Sequence, residues 1–132
     1  MMEPELQQLL DRLRAEPNET EWLEFKTNRY EPQELGEYLS ALANSACLAG
    51  KPKGYITFGV EDGAHAVVGT SFDPEREKGK GSQSLLIWVA VGLQPNVGFQ
   101  HFVFTADGKR VVLFAVNPAV DRPVKFYGEA YI

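Results

Sequence analysis

The chain has 132 residues, of which 44% are hydrophobic and 23% are charged, and these proportions are typical of one globular domain. No apolar run approaches the roughly 18 residues of a membrane-spanning helix, so we expect no membrane segment. The single cysteine, Cys47, excludes an internal disulfide and favours a cytoplasmic protein. The two histidines, His65 and His101, are too far apart in sequence for a zinc site of the usual spacing.

The net charge of −5 is concentrated in the N-terminal third of the chain. Residues 1–37 hold ten acidic and four basic residues, a net charge of −6, whereas residues 38–132 hold eight acidic and nine basic residues, a net charge of +1. Proteins that bind nucleic acid strongly usually carry a basic excess, so the total argues against that class. Because residues 38–132 are nearly balanced in charge, they are still compatible with a local basic face.

Apolar spacing in the first half predicts a helix, a short strand and a second helix. Leucines recur at three- and four-residue steps between Glu3 and Ala15, which predicts an amphipathic helix. Residues 22–26 are predicted to form a strand with Leu23 and Phe25 on one face and Trp22, Glu24 and Lys26 on the other. A second helix is predicted to begin near Pro32, and residues 44–53 are predicted to be a loop.

The second half is richer in strand signals. Residues 54–60 form the clearest predicted strand, followed by a turn at Glu61-Asp62-Gly63 and a short return strand over residues 66–68. Residues 82–91 are predicted to be helical. The pair Asp107-Gly108 predicts a hairpin between strands at residues 98–105 and 110–116, and residues 123–132 resemble a final strand.

This order of elements predicts an α+β fold, with a mostly antiparallel or mixed sheet and about three helices on one face of it. We expect residues 1–132 to form a single domain. Because the last strand-like run stops abruptly, we also expect this domain to be the N-terminal fragment of a longer protein.

The predicted strand at residues 22–26 carries a candidate site. Glu24 and Lys26 share a face, and such a pair suits phosphodiester chemistry, because a carboxylate holds a divalent cation while a lysine stabilises phosphate charge. Asp62 would join Glu24 as a ligand of Mg²⁺ if their strands are neighbours, and Glu19, five residues before Glu24, would add a third carboxylate. By spacing alone, the metal site is the less common arrangement. A pair such as Glu24 and Lys26 is more often an exposed ion pair, and an aspartate before glycine, such as Asp62, more often belongs to a turn.

Lys51 and Lys53 lie between Gly50 and Gly54, in the segment predicted to be a loop. A glycine-flanked lysine loop can contact phosphates. It can equally serve only to keep the surface soluble, and the sequence spacing does not separate these alternatives.

Several segments, in this order, resemble the Schlafen AlbA-type domain family. They are Glu21-Trp-Leu-Glu-Phe-Lys26, residues 35–45, residues 54–62 with 65–70, and Arg122-Pro123 with Tyr131-Ile132, and the resemblance spans residues 19–132. It implies an AlbA-like fold and nucleic-acid binding. The bacterial members that the chain resembles most are described as transcriptional regulators or helicase-like ATP-binding proteins.

Some animal relatives use three acidic residues for metal-dependent cleavage of transfer and ribosomal RNA, and the resemblance places Glu19, Glu24 and Asp62 at those positions. The chain departs from the family pattern in one place, where a longer basic segment, residues 44–54, replaces the usual Asn-x-x-Gly-Gly turn. The RNA-cleaving relatives also pair two such lobes, which a homodimer would restore here.

Three functions follow as hypotheses. The first, which we favour over catalysis, is a nucleic-acid-binding module of a bacterial transcriptional regulator that contacts DNA or RNA phosphates through Lys26, Arg29, Lys51 and Lys53. The second is an endoribonuclease that uses Mg²⁺ or Mn²⁺ held by Glu19, Glu24 and Asp62, with Lys26 beside the scissile phosphate. The third is an oligomerisation or sensor domain.

Overall fold

The computed structural model describes residues 1–17, 20–28 and 30–132. Over these residues the chain forms three helices and seven strands. In chain order they are α1 (Glu3–Arg14), β1 (Leu23–Lys26), α2 (Pro32–Ala49), β2 (Gly54–Phe58), α3 (Leu85–Gly92), β3 (Leu93–Gln94), β4 (Phe99–Ala106), β5 (Lys109–Val116), β6 (Lys125–Phe126) and β7 (Glu129–Ala130).

The strands form two sheets. The larger sheet has the order β1-β2-β5-β4, in which β1 runs parallel to β2 and the other pairs are antiparallel. The smaller sheet has the order β3-β6-β7. The predicted α+β class with a mixed sheet is confirmed.

Strand β5 lies at the centre of the fold, and its residues from Val111 to Val116 are all buried. Because side chains alternate along a strand, β5 contributes to two separate cores. Val112, Phe114 and Val116 pack with α2 and α3, whereas Val111, Leu113 and Ala115 pack with α1.

The prediction that all helices lie on one face of the sheet is therefore wrong. The α1 helix covers the opposite face through its four buried leucines, Leu6, Leu9, Leu10 and Leu13. The physical reason is the continuous apolar run of β5, which is typical of a strand that is covered on both faces.

The turn between β4 and β5 is the predicted one. Asp107 and Gly108 both have positive φ angles, 52° and 73°, as a tight two-residue hairpin requires. The flanking strands pair in register from Phe99 opposite Val116 to Ala106 opposite Lys109.

Three other sequence predictions differ from the structure. Residues 44–49 belong to α2 and not to a loop, and the helix ends at Gly50, whose φ of 68° suits a left-handed cap. The predicted return strand over residues 66–68 is reduced to one bridge between Val60 and Val67. The predicted final strand is divided into β6 and β7, which form a small hairpin.

The C-terminal segment is fastened to α2 by the buried side chain of Asn44. The Asn44 Nδ2 donates to the Val124 and Tyr131 carbonyl oxygens at 3.0 and 2.7 Å, and its Oδ1 accepts from the Val124 N–H at 2.7 Å. Ser40 Oγ donates to the same Val124 oxygen at 2.8 Å. These bonds explain why polar residues are tolerated on the buried face of α2.

No helix in the described part of the chain is both long and apolar enough to cross a lipid bilayer.

We predict that Asn44→Ala lowers the free energy of unfolding by about 2–4 kcal/mol, because the buried Val124 N–H loses its acceptor and the Tyr131 carbonyl loses its donor. Urea denaturation followed by circular dichroism measures this change. The matched control is Gln33→Ala, which removes an exposed side chain on the same helix and is expected to change the stability by less than about 0.5 kcal/mol. Equal stabilities for the two variants would contradict the anchoring role of Asn44.

Candidate functional site

The predicted site residues Glu24 and Lys26 lie on β1, at the edge of the larger sheet. Leu23 and Phe25 are buried against α1, so the alternating Glu24 and Lys26 side chains face α2 and are half-buried. Trp22 was predicted on this same face, and that prediction is wrong. Trp22 precedes the first residue of β1 and packs against the α1 side of the sheet.

Lys26 lines a cavity of about 240 Å³ between β1, β2 and α2, which we call the Lys26 pocket. Its lining consists of Lys26, Thr27, Tyr30, Glu31, Glu34, Leu35, Tyr38, Ile56 and Phe58. The ammonium group lies 4.8 Å from the centre of the Tyr38 ring. Burial works to lower the pKa of Lys26, but Tyr38 and the charges of Glu24 and Glu34 outweigh it and raise that pKa. Lys26 is therefore firmly cationic.

Glu24 is held in a less favourable environment for its charge. Burial raises the pKa of the Glu24 carboxyl, the charge of Lys26 lowers it, and the charge of Asp62 raises it, so that the net direction is upward. The effect of Asp62 shows that these two carboxylates, from different segments, are near enough to interact. The register explains this proximity, because Lys26 at the end of β1 pairs with Phe58 at the end of β2, shortly before Asp62.

The arrangement contains two of the three predicted metal ligands. Glu19 and the predicted phosphate contact Arg29 lie outside the described residues. In the rest of the chain, no group of three or more His, Cys, Asp or Glu side chains is placed to hold a metal ion. Asp62 also has the turn role that its sequence context favoured, since its Oδ1 accepts from the Gly63 N–H at 3.1 Å. Two neighbouring carboxylates are compatible with Mg²⁺, which usually keeps several water ligands.

Lys51 and Lys53 lie together at a different place, in a groove of about 200 Å³ beneath α1 that we call the Trp22 groove. It is lined by Leu9, Arg12, Leu13, Glu16, Trp22, Lys51, Pro52, Lys53 and Tyr55. The Lys51 ammonium lies 4.9 Å from the centre of the Trp22 ring, and Lys53 Nζ donates to Asn117 Oδ1.

Of the predicted phosphate contacts that the structure describes, Lys26 therefore does not share a surface with Lys51 and Lys53. The Lys26 pocket opens on the α2 side of the sheet, whereas the Trp22 groove lies on the α1 side, and the two share no lining residue. Sequence reasoning also missed Arg12, Tyr55 and Tyr38. The sequence could have indicated Tyr38, because it lies one helical turn after Glu34 and so on the same face of the helix. Arg12 could not be placed while α1 was assigned to the wrong face of the sheet.

The protein-family model described as Schlafen, AlbA_2 matches residues 19–132 of the chain. The chain belongs to the Schlafen AlbA_2 family. Among curated proteins, no sequence matches it.

Solved structures similar to this Schlafen AlbA_2 domain include the N-terminal domain of a RecG-related protein from Nitrosomonas europaea, at 23% identity and a TM-score of 0.59, over 95% of this chain and 85% of that one. The DIP2311 protein from Corynebacterium diphtheriae matches at 17% identity and a TM-score of 0.53, over 96% of this chain. The present chain spans only 24% of the DIP2311 structure. At these identities the likeness establishes the fold.

We predict that Glu24→Gln stabilises the domain near neutral pH. Because the folded state raises the pKa of Glu24 above its ordinary value of 4.5, stability is greatest below that value and is lost as the pH rises through the folded-state pKa. Because glutamine does not ionise, the variant does not lose this stability as the pH rises. Its melting temperature should therefore exceed that of the wild type by a margin that grows between about pH 4 and pH 7.

The control for this experiment is Glu21→Gln, an exposed carboxylate on the preceding turn. Its melting temperature should follow that of the wild type at each pH. A margin for Glu24→Gln that stays constant with pH would contradict the proposed desolvation of Glu24.

Proposed function

We propose that this Schlafen AlbA_2 domain is the nucleic-acid-binding module of a bacterial transcriptional regulator, and that Lys51 and Lys53 contact phosphates in the Trp22 groove. The observation that carries this proposal is the convergence of Arg12, Lys51 and Lys53 on one groove in a chain of net charge −5. Phosphate contacts of this kind give affinity that depends little on sequence and strongly on salt.

Some arginines of the domain are partly neutralised by ion pairs. Examples are the Arg14–Asp11 pair at 3.6 Å and the Arg76–Asp73 pair at 3.5 Å. Within the described residues, by contrast, no carboxylate forms an ion pair with Arg12, Lys51 or Lys53. Their charges are therefore available to an external anion.

Two further considerations support binding to nucleic acid. The solved Nitrosomonas europaea domain belongs to a protein whose description relates it to the ATP-dependent DNA helicase RecG. Lys26 is also firmly charged, so it would offer a second phosphate contact on the other face of the sheet. Arg29 stays a proposed phosphate contact on the grounds of the sequence alone. In a homodimer, equivalent grooves from two copies would contact one nucleic acid.

We predict that the chain binds short fluorescent DNA and RNA at low salt and loses affinity as the salt concentration rises from about 50 to 200 mM. Fluorescence anisotropy measures the slope of log K against log salt. Replacing a contacting lysine by the uncharged Met in Lys51→Met or Lys53→Met should reduce that slope by about 0.7–0.9.

The matched control is Lys80→Met, which removes an exposed lysine in the loop before α3 and should leave the slope unchanged. No binding of either nucleic acid by the folded chain at low salt would overturn the proposal.

The second candidate is a metal-dependent endonuclease on the other face. The pairing of β1 with β2, which brings Asp62 near enough to influence the charge of Glu24, favours it. In this proposal Glu24 and Asp62, with Glu19, hold Mg²⁺ or Mn²⁺. The bound metal would polarise a phosphodiester and lower the pKa of a water molecule. Lys26, two residues from Glu24 on the same face, would stabilise charge on the phosphate.

We predict that Mn²⁺ raises the melting temperature of the wild type, because binding to the folded state alone stabilises it by mass action. Glu24→Gln should abolish this rise and any metal-dependent RNA cleavage, whereas Glu37→Gln, on α2 outside the Lys26 pocket, should preserve both. Equal shifts in the wild type and in Glu24→Gln, or cleavage that persists in a chelator, would exclude this metal site.

A further inference from the structure

The Trp22 groove combines cations with aromatic rings. Trp22 and Tyr55 lie side by side, with ring centres 6.4 Å apart and an angle of 67° between the ring planes. Both side chains are partly exposed. Their proximity follows from the sheet, because Leu23, next to Trp22, pairs with Tyr55 on the parallel strand β2.

The cations surround these rings on several sides. Lys51 extends from the segment after α2 and lies over the Trp22 ring. Arg12 approaches from α1, and burial raises the pKa of the Tyr55 hydroxyl while the nearby charge of Arg12 lowers it. Two elements that are distant in sequence, α1 and the segment after α2, therefore bring cations to the rings.

Lys53 is held in place before any ligand arrives. Its ammonium donates to Asn117 Oδ1, and Asn117 Nδ2 in turn donates to the Val97 carbonyl at 2.8 Å. A charged group with a fixed position loses less conformational entropy when it binds a phosphate.

The charges of the groove favour an anionic ligand. Among its described lining residues there are three cations, Arg12, Lys51 and Lys53, and one carboxylate, Glu16, so the lining carries a net charge of +2. A phosphate alone would need the cations but not the rings. A nucleotide uses both, since its base stacks on an aromatic face while its phosphate contacts the cations.

We infer that the Trp22 groove binds single-stranded nucleic acid, with an unpaired base stacked on Trp22 and the flanking phosphates held by Arg12 and Lys53. This inference rests on the proposed nucleic-acid-binding function and specifies its ligand. The base displaces the Lys51 ammonium from the Trp22 ring, and Lys51 then becomes a further phosphate contact.

The stacking requirement distinguishes single strands from duplexes. In a duplex each base is already stacked between its neighbours and paired, so its face is not accessible to Trp22 without the cost of unstacking. In a single strand the base faces are available, and every base has one, so the site discriminates little among sequences.

The test uses the whole chain with a fluorescein-labelled oligothymidylate of about 12 nucleotides and a duplex of equal length, compared by anisotropy. We expect the single strand to bind at least about tenfold more tightly than the duplex. Trp22→Ala should weaken single-strand binding by about 5- to 150-fold, the range that loss of one stacked base produces. Trp22→Phe, which keeps an aromatic face, should retain most of the affinity.

The tryptophan emission provides a second measurement that does not depend on whether Trp22→Ala folds. Besides Trp22 the chain has one other tryptophan, Trp88, which is buried. Unlabelled oligothymidylate should quench the emission of the wild type but not that of Trp22→Phe, in which Trp88 alone remains.

The possible failures are distinguishable. Salt-dependent binding that is unaffected by Trp22→Ala, or duplex binding as tight as that of the single strand, would overturn this inference and leave the nucleic-acid-binding function standing. Absence of binding to every oligonucleotide at low salt would overturn both.

Discussion

The burial of β5 on both faces is the constraint on which the rest of this structure depends. Six consecutive buried residues, from Val111 to Val116, alternate between two cores. Each core needs its own cover, because neither face of the sheet can be left in water without exposing these apolar side chains. The α2 and α3 helices cover one face and α1 covers the other. Both candidate sites are formed at the borders of these layers, the Lys26 pocket against α2 and the Trp22 groove beneath α1.

Much of this fold could be predicted from local sequence patterns. The leucine spacing of α1, the Asp107-Gly108 turn and the short strand around Phe25 are local signals, and the structure confirms them. The length of α2 could not be read in the same way. Its second half contains Asn44 and Ser45, which have low helix propensity, and only the distant partner Val124 satisfies the Asn44 side chain.

The candidate sites show the same division between local and distant information. Strand alternation placed Glu24 and Lys26 on one face, and the pairing of β1 with β2 brings Asp62 close enough to influence Glu24. The Trp22 groove depends on which face α1 covers, and that choice is made by the packing of β5. A prediction with all helices on one face of the sheet could not place Arg12 near Tyr55. The apolar run of β5 indicated that the sheet is covered on both faces. It did not indicate which residues form the Trp22 groove.

The separation of the two sites also resolves the conflict between an acidic chain and an anionic ligand. At physiological salt, charges farther apart than about 8 Å are largely screened from each other. The acidic residues that give the chain its net charge of −5 therefore oppose binding only where they lie near the ligand, and among the described lining residues of the Trp22 groove Glu16 is the carboxylate. Among the described residues near the Lys26 pocket, the charges of Glu24 and Glu34 act on Lys26, and the charge of Asp62 acts on Glu24, so a cation bound by these carboxylates would reduce their repulsion of a polyanion. The same electrostatics thus favours direct phosphate binding on the α1 side, and a metal ion bound near Glu24 and Asp62 would strengthen a phosphate contact of Lys26 on the α2 side.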